Sequence, residues 1–282
     1  MSMDVDILMI AYNRPSYTRL ALARLLDAAP EGARVWVWQN GTHEDTCGVV
    51  RSFEGHPRLH RVHWSAENAM LRVPTNWFWK NASAPLLGKV DDDCLVPEGW
   101  IESLTRLHES EPTLGVLSCW PFLESDFRPQ LAERKIRTLA SGARLMVNPW
   151  TGGSGYLMKR GCVERIGPIA DAESFAGWCI RAALAGFVHG WPLPLLLMDH
   201  MEDPRSPHTE MRSEADFRAR PTLSSLRFGI SSFEEYVRRN EEAAIEVQRS
   251  SADPRQFVGW RAKWRRMRAR IVRSHRRARL DA

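Results

Sequence analysis

Four short apolar runs, each followed by a polar loop and then a helical pattern, set the strongest limit on what this chain can become. Residues 5–11, 34–38, 59–64 and 86–90 read as strands. Between them lie a helix from about Ser16, with Leu20, Ala23, Leu25 and Leu26 apolar, a short helix over 44–53, and a third over 74–81 with proline in its first turn. Pro30, Glu31 and Gly32 break the first of these. Strands joined through helices pair in parallel, because the helix carries the chain back across the face of the sheet. The expected class is therefore α/β, a mostly parallel sheet flanked by helices.

In such sheets a ligand sits beyond the carboxyl ends of the strands. The loops there are 12–15, 39–42, 65–72 and 91–93, and all are polar. No GxGxxG and no GxxxxGK[ST] follows any strand, so dinucleotide and P-loop sites are excluded. The fourth loop opens with Asp91, Asp92 and Asp93. Strand alternation points Asp91 and Asp93 one way and Asp92 the other. Two carboxylates about 5 Å apart repel by roughly 3 kcal/mol at an effective dielectric of about 20. Water screens such a pair, or a cation holds it. An isolated aspartate triplet reads as a solvated turn, but one that ends a buried strand and faces three other polar loops points to a cation.

Further along, a helix over 99–110, strands over 115–119, 144–147 and 156–158, a flexible loop over 150–155, and helices after Arg160 and within 171–186 are expected. Residues 120–139 are ambiguous. The apolar stretch 187–198 ends in the polar run 199–204, and Ser232 with Glu235 forms a capping box for a helix reaching about Arg249. This divides the chain into a body over 1–210, with halves at about 1–100 and 101–210, a helical extension over 211–252 and a tail over 253–282. The 282 residues are 44% hydrophobic and 26% charged, ordinary usage for a chain that buries a full core. Five cysteines without a CxxC pair argue against a disulfide framework or a cysteine-rich zinc module and point to reducing cytoplasm. The first residues lack the basic region of a signal peptide, and no segment approaches the ~20 apolar residues of a membrane span.

Charge is unevenly placed. Of the formal net +5, residues 253–282 hold eleven Arg or Lys against two Asp, a net of +9, which leaves −4 for the rest. In 257–280, Trp260, Trp264, Met267 and Ile271 fall four, three and four residues apart among arginines. That pattern is an amphipathic cationic helix. It suits an anionic membrane surface, a docking site on the acidic body or, less well for want of a base-reading motif, nucleic acid.

The order of VDILMIAYNRP, VWVWQNGT, Asn68 in its loop and LLGKVDDDCLVPEGW resembles the nucleotide-sugar half of a family 2 glycosyltransferase of the GT-A (Rossmann-like) fold. GYLMKRGCVERIGPI and IRAALAGF resemble later segments of that family, so the likeness covers roughly residues 4–200. The resemblance implies a nucleoside-diphosphate-sugar donor, a saccharide or lipid-linked acceptor, and Mn2+ or Mg2+ on the diphosphate. It makes Asp93 the metal ligand, Asp91 a neighbour of the ribose or a ligand through water, and His200 the downstream metal partner. Tyr12, Asn13, Arg14, Gln39, Asn40 and Asn68 would hold the nucleoside, with Asp92 beside them and Lys89 at a phosphate or at the sheet end. Gln39 stands where relatives carry an acid, which leaves the base open. Relatives also place a Glu-Asp pair six or seven residues before a helical arginine. Counted back from Arg181, those positions hold Phe175 and Ser174, so Glu173 is the first candidate for general base and Asp171 the second. Trp150 is the best aromatic platform for an acceptor, whereas Trp36 and Trp38 read as packing. Two alternatives remain open at this point: a non-catalytic nucleotide-sugar or glycan-binding protein on the same fold, and a nucleic-acid-binding protein acting through its tail.

Overall fold

The computed structural model describes residues 4–260. The chain runs β1 (Val5–Ala11), α1 (Pro15–Asp27), β2 (Ala33–Gln39), α2 (Glu44–Arg51), β3 (Leu59–Trp64), α3 (Arg72–Asn81), β4 (Leu86–Asp91), β5 (Cys94–Leu95), α4 (Trp100–Ser110) and β6 (Leu114–Ser118). It continues through α5 (Pro129–Ala132), β7 (Ile136–Thr138), β8 (Arg144–Val147), β9 (Tyr156–Lys159), α6 (Arg160–Ile166), α7 (Phe175–Leu184), β10 (Val188–Leu193) and β11 (Asp199–His200). The last helices are α8 (Glu214–Ala219), α9 (Leu223–Phe228) and α10 (Phe233–Arg249).

Nine strands form one sheet in the order β3-β2-β1-β4-β9-β6-β10-β8-β7. The half built from β1 to β4 is parallel, as the helix-linked runs require. Beyond β4 the sheet is mixed: β9 pairs antiparallel with both β4 and β6, and β8 pairs antiparallel with β10 and β7. All other strands share one direction, so the sheet is mostly parallel by orientation. The β4–β9 contact depends on Gly88, since a Cβ there would lie 2.7 Å from Leu157 Cδ2. β11 and β5 make a separate two-stranded ribbon, which pairs His200 with Cys94.

Strand alternation divides the core between the two faces of the sheet. Ile7 and Met9 pack with Leu22, Leu25 and Trp100 under α1 and α4. Leu8 and Ile10 pack with Trp36, Trp38, Phe78 and Trp178 under α3 and α7. Each such side chain contributes about 1.5–3 kcal/mol through burial. Trp36 and Trp38 are thus packing residues, as expected. The β1 edge of the second face carries a buried carboxylate, Asp6. It accepts from Arg34 Nε and Nη2 at 2.7 and 2.8 Å, from Trp36 Nε1 at 3.1 Å, and from the Ser83 and Ala84 amides.

Ser232 accepts from the Glu235 amide at the start of α10, while Glu235 reaches back to the Ser231 amide instead of that of Ser232. α10 then returns to the sheet. Gln248 accepts from the Arg128 amide at 2.7 Å, and buried Lys135 donates to Asn148 Oδ1, the Val247 carbonyl and Ser250 Oγ. Among the described residues no helix is long and apolar enough to cross a membrane. Most of the cationic segment expected over 257–280 lies outside the described residues. Trp260, its first apolar position, is exposed.

Candidate active site

The β1–α1 turn and the end of β4 are built as one unit. Asn13 takes a left-handed φ of 51°, a conformation its short polar side chain tolerates, and Pro15 starts α1 where its missing N–H costs nothing. Asp92 holds this turn from below: its Oδ2 accepts the Tyr12 amide at 2.8 Å and the Thr18 hydroxyl at 3.0 Å. β4 ends at Asp91, so Asp92 and Asp93 are turn residues. Asp92 faces the turn that carries Tyr12 and Arg14, and its Oδ2 is committed there, so it holds that loop in place. Burial and the neighbouring Asp93 push its carboxyl above the usual range.

Asp93 faces the crevice. Arg14 Nη1 donates to its Oδ2 at 2.7 Å, His200 Nε2 stands 3.7 Å from the same oxygen, and the Cys94 thiol donates to its Oδ1 at 3.2 Å. Burial alone would raise the Asp93 carboxyl, but His200 and Arg14 outweigh it and hold it well below the usual range. Conversely, burial acts to lower the imidazole of His200, and Asp93 overrides it, so the ring is pushed up to about 9. The His200–Cys94 strand pair and the Met201 amide, which donates to the Asp93 carbonyl at 2.8 Å, place the ring beside the triplet. The second guanidinium nitrogen of Arg14 bonds Glu202, a residue that sequence reading missed. It lies in the polar run 199–204, but nothing local pairs it with a residue 188 positions earlier.

Asp91 lies on the other side of Asp93. Lys89 bonds its carboxylate and also donates to the Gly153 carbonyl at 2.9 Å, while the Asp91 amide donates to Ser154 Oγ at 2.8 Å. Lys89 is thus not a solvated lysine: it is buried and latches the 152–154 loop to the end of β4.

Arg14, Asp91, Asp93, His200 and Glu202 line a cavity of about 390 Å³ with Tyr12, Asn40, Asn68, Met70 and Ser154. Asn40 shapes one wall of it: Oδ1 accepts from Trp38 Nε1 and the Ala69 amide, and Nδ2 donates to the Met70 carbonyl. Asn68 Oδ1 accepts from the Met70 amide at 2.9 Å and fixes the same loop. Gln39 does not reach the cavity. Its Nε2 folds back on the carbonyls of Asn40 and Gly41, and its Oε1 is buried without a partner among the described residues. Asn13 lines a second cavity, of about 760 Å³, on the far side of the Arg14–Glu202 pair.

The expected base residues are elsewhere. Both Glu173 oxygens are held by Arg181, at 3.1 and 2.8 Å, and one also accepts the Ala170 amide. Burial is the largest single influence and raises its carboxyl, but Arg181 and the Ala170 amide together outweigh it, so it sits below the usual range, the wrong direction for a base that must pick up a proton. Asp171 is fully exposed and pairs with Arg72 at 3.2 Å. Neither lines the cavity. Trp150 packs edge-on against Phe257 with ring centroids 4.6 Å apart, so one side of its ring is covered.

The donor set fits a divalent cation. Asp93, Cys94 and His200 each bring a ligand atom within 4.8 Å of the other two, and Asp91 adds a carboxylate to the same wall. In this structure the protein's own cations, Arg14 and His200, neutralise Asp93.

The mostly parallel α/β sheet, with an acidic triplet at the end of its fourth strand, has the GT-A fold. The family model for Glycosyl transferase family 2 matches residues 6–156, more than half of the chain, and the chain belongs to that family. Among solved structures it is similar to the mannosyltransferase PcManGT from Pyrobaculum calidifontis in complex with GDP-Man and Mn2+, at 17% identity and a TM-score of 0.59, covering 90% of this chain and 73% of that one. It is also similar to residues 1–349 of TarS from S. aureus, at 13% identity and a TM-score of 0.55, covering 94% and 92%. At those identities the likeness is one of fold. No curated protein matches the chain.

Proposed function

We propose that this glycosyltransferase moves a sugar from a nucleoside-diphosphate donor, seated in the 390 Å³ cavity, to a saccharide or lipid-linked acceptor. The observation that carries this is the convergence of Asp91, Asp93, His200 and Arg14 beside a pocket walled by the Tyr12, Asn40 and Asn68 loops. Asp93 and His200 would hold Mn2+ or Mg2+. Bound there, the cation stabilises negative charge on the departing diphosphate. Arg14 supplies a fixed positive charge to the same place: burial acts against its charged form, but Glu202 and Asp93 keep it protonated. Asn40 and Asn68 hold the loop against which the nucleoside packs, and Asp92 holds the opposite turn.

The acceptor hydroxyl must lose a proton as it attacks. Of the carboxylates lining the cavity, Glu202 is the one outside the triplet, and burial raises its pKa. A second reading, a non-catalytic nucleotide-sugar binder, is favoured by the engagement of Glu173 with Arg181. Thermal-shift measurements with the nucleoside diphosphates, with and without Mn2+, test the site, since a ligand that binds only the folded state raises its stability. Donor hydrolysis that depends on the cation and disappears in Asp93→Ala separates enzyme from binder. A cation-independent melting temperature and an unchanged rate in that variant refute the assignment. The membrane reading of 257–280 is tested by vesicle sedimentation of the full chain against one ending at Asp253. Equal partitioning of the two rules it out.

A further inference from the structure

All five cysteines are free thiols, and all are buried. Cys94 differs from the others in place: it lines the donor cavity, whereas Cys47, Cys119, Cys162 and Cys179 line neither of the two cavities described above. Its Sγ is 3.2 Å from Asp93 Oδ1, and with His200 the three side chains bring a thiol, a carboxylate and an imidazole within 4.8 Å of one another. The β11–β5 ribbon fixes this grouping, because His200 is the strand partner of Cys94.

Ligand softness gives the cluster a meaning that the family resemblance does not. Mg2+ and Mn2+ favour oxygen, which Asp91, Asp93 and a diphosphate would supply, and they have little use for sulfur. Thiolate and imidazole favour zinc, with bonds of about 2.0–2.3 Å. Ligand atoms around a tetrahedral ion then stand roughly 3.3–3.8 Å apart. The observed set closes to that size with side-chain shifts of about 1 Å or less, and Asp93 and His200 belong to both sets.

We propose that Asp93, Cys94 and His200 form a zinc site that shares Asp93 and His200 with the cation of the donor complex, so that zinc and the harder ion exclude each other. This competition rests on the donor reading above, whereas the zinc ligands do not. Ligation forms a zinc–sulfur bond and releases the thiol proton to solvent, with no change of oxidation state. Zinc then acts as an inhibitor that occupies the catalytic carboxylate from the protein side.

The test uses the full chain, reduced and free of nucleotide, with Co2+ as a spectroscopic stand-in for zinc. A thiolate-to-cobalt charge-transfer absorption is expected in the near ultraviolet and should be abolished by added Zn2+. In Cys94→Ser the absorption disappears and Zn2+ binding weakens by at least about tenfold. Mn2+ binding stays within about twofold, and the other four cysteines serve as an internal control. Absence of the band in the unmodified protein at saturating Co2+, or its survival in Cys94→Ser, overturns the site. Should Cys94→Ser fail to fold, the unmodified protein's spectrum still decides, with His200→Gln as the second variant: it must weaken Zn2+ binding while keeping the sulfur band. A band without any response to Mn2+ or nucleoside diphosphate sinks the donor reading and leaves the zinc ligands standing. The converse result sinks the zinc site alone.

Discussion

His189 gives the fold a specific sensitivity to acid. On β10, its Nδ1 accepts the Val116 amide at 2.8 Å and its Nε2 lies 3.0 Å from the Cys179 carbonyl. An amide can only donate, so Nδ1 must be unprotonated and Nε2 carries the hydrogen. A second proton would set Nδ1–H against the Val116 N–H inside the core. Burial dominates and pushes the ring down to about 4, with the Cys179 carbonyl opposing. Because the folded-state pKa is depressed, the unfolded chain binds the proton first. The stability is therefore complete above about pH 6.5 and is lost as the pH falls toward 4. Linkage over that interval gives a loss of about 2 kcal/mol by pH 5 and about 3 kcal/mol by pH 4. His108, held down to about 3 chiefly by burial, adds a loss of the same sign. His189→Gln removes the titration at this site and keeps a donor for Cys179. Urea unfolding at pH 7 and pH 5 should show the unmodified protein losing about 2 kcal/mol more than the variant. Equal losses refute the reasoning, as does a His189 ring that titrates near 6.5 by NMR.

Three other perturbations test separate parts of the structure. Gly190→Ala would place a Cβ 2.2 Å from the Met146 carbonyl oxygen in the partner strand, where backbone must give way, and should cost about 3 kcal/mol in urea unfolding. Gly161→Ala, in α6 with nothing within 4 Å, should instead be neutral or stabilise by up to about 1 kcal/mol. Asp6→Asn turns one acceptor toward Arg34 and two amides into a donor in a fully buried place, and should lower stability by about 3–5 kcal/mol. Arg14→Ala removes the cation that occupies Asp93, so Mn2+ alone should bind about tenfold more tightly by calorimetry while nucleoside diphosphate binding weakens. A loss of Mn2+ affinity would show that Arg14 orders the site and does not compete for it.

The parts of the fold that were legible in the sequence are those with a local cause. The first four strands fall within a residue or two of their expected bounds because each is a short apolar or β-branched run that ends in a polar loop, and β1, β2 and β4 bury both faces. Alternation within β4 carried a signal: Lys89 and Asp91 fall on one face, which is how Lys89 comes to bond Asp91. Asp92 and Asp93 lie in the turn beyond the strand, where period two no longer applies. The reversed strands β8 and β9 were not readable as reversed, since strand direction is set by which partner the chain meets and leaves no mark on the strand's own residues. α8 and α9 escaped for a different reason. They are short, lie in polar sequence, and are started by single caps at Ser213 and Thr222.

The misreading of the base shows where a resemblance stops being physical information. A spacing counted back from Arg181 fell on Ser174 and Phe175, and a one-residue slip selected Glu173; Glu173 and Arg181 do meet, but as a closed ion pair that spends both oxygens at the start of α7. The same count says nothing of Glu202, which lies outside the family match and reaches the site only because β11 pairs with β5. An arginine can hold a carboxylate out of a site or hold one in it. Arg181 does the first to Glu173 and Arg14 does the second to Glu202 and Asp93, a distinction that resides in pairings between distant residues and in no local pattern of the chain.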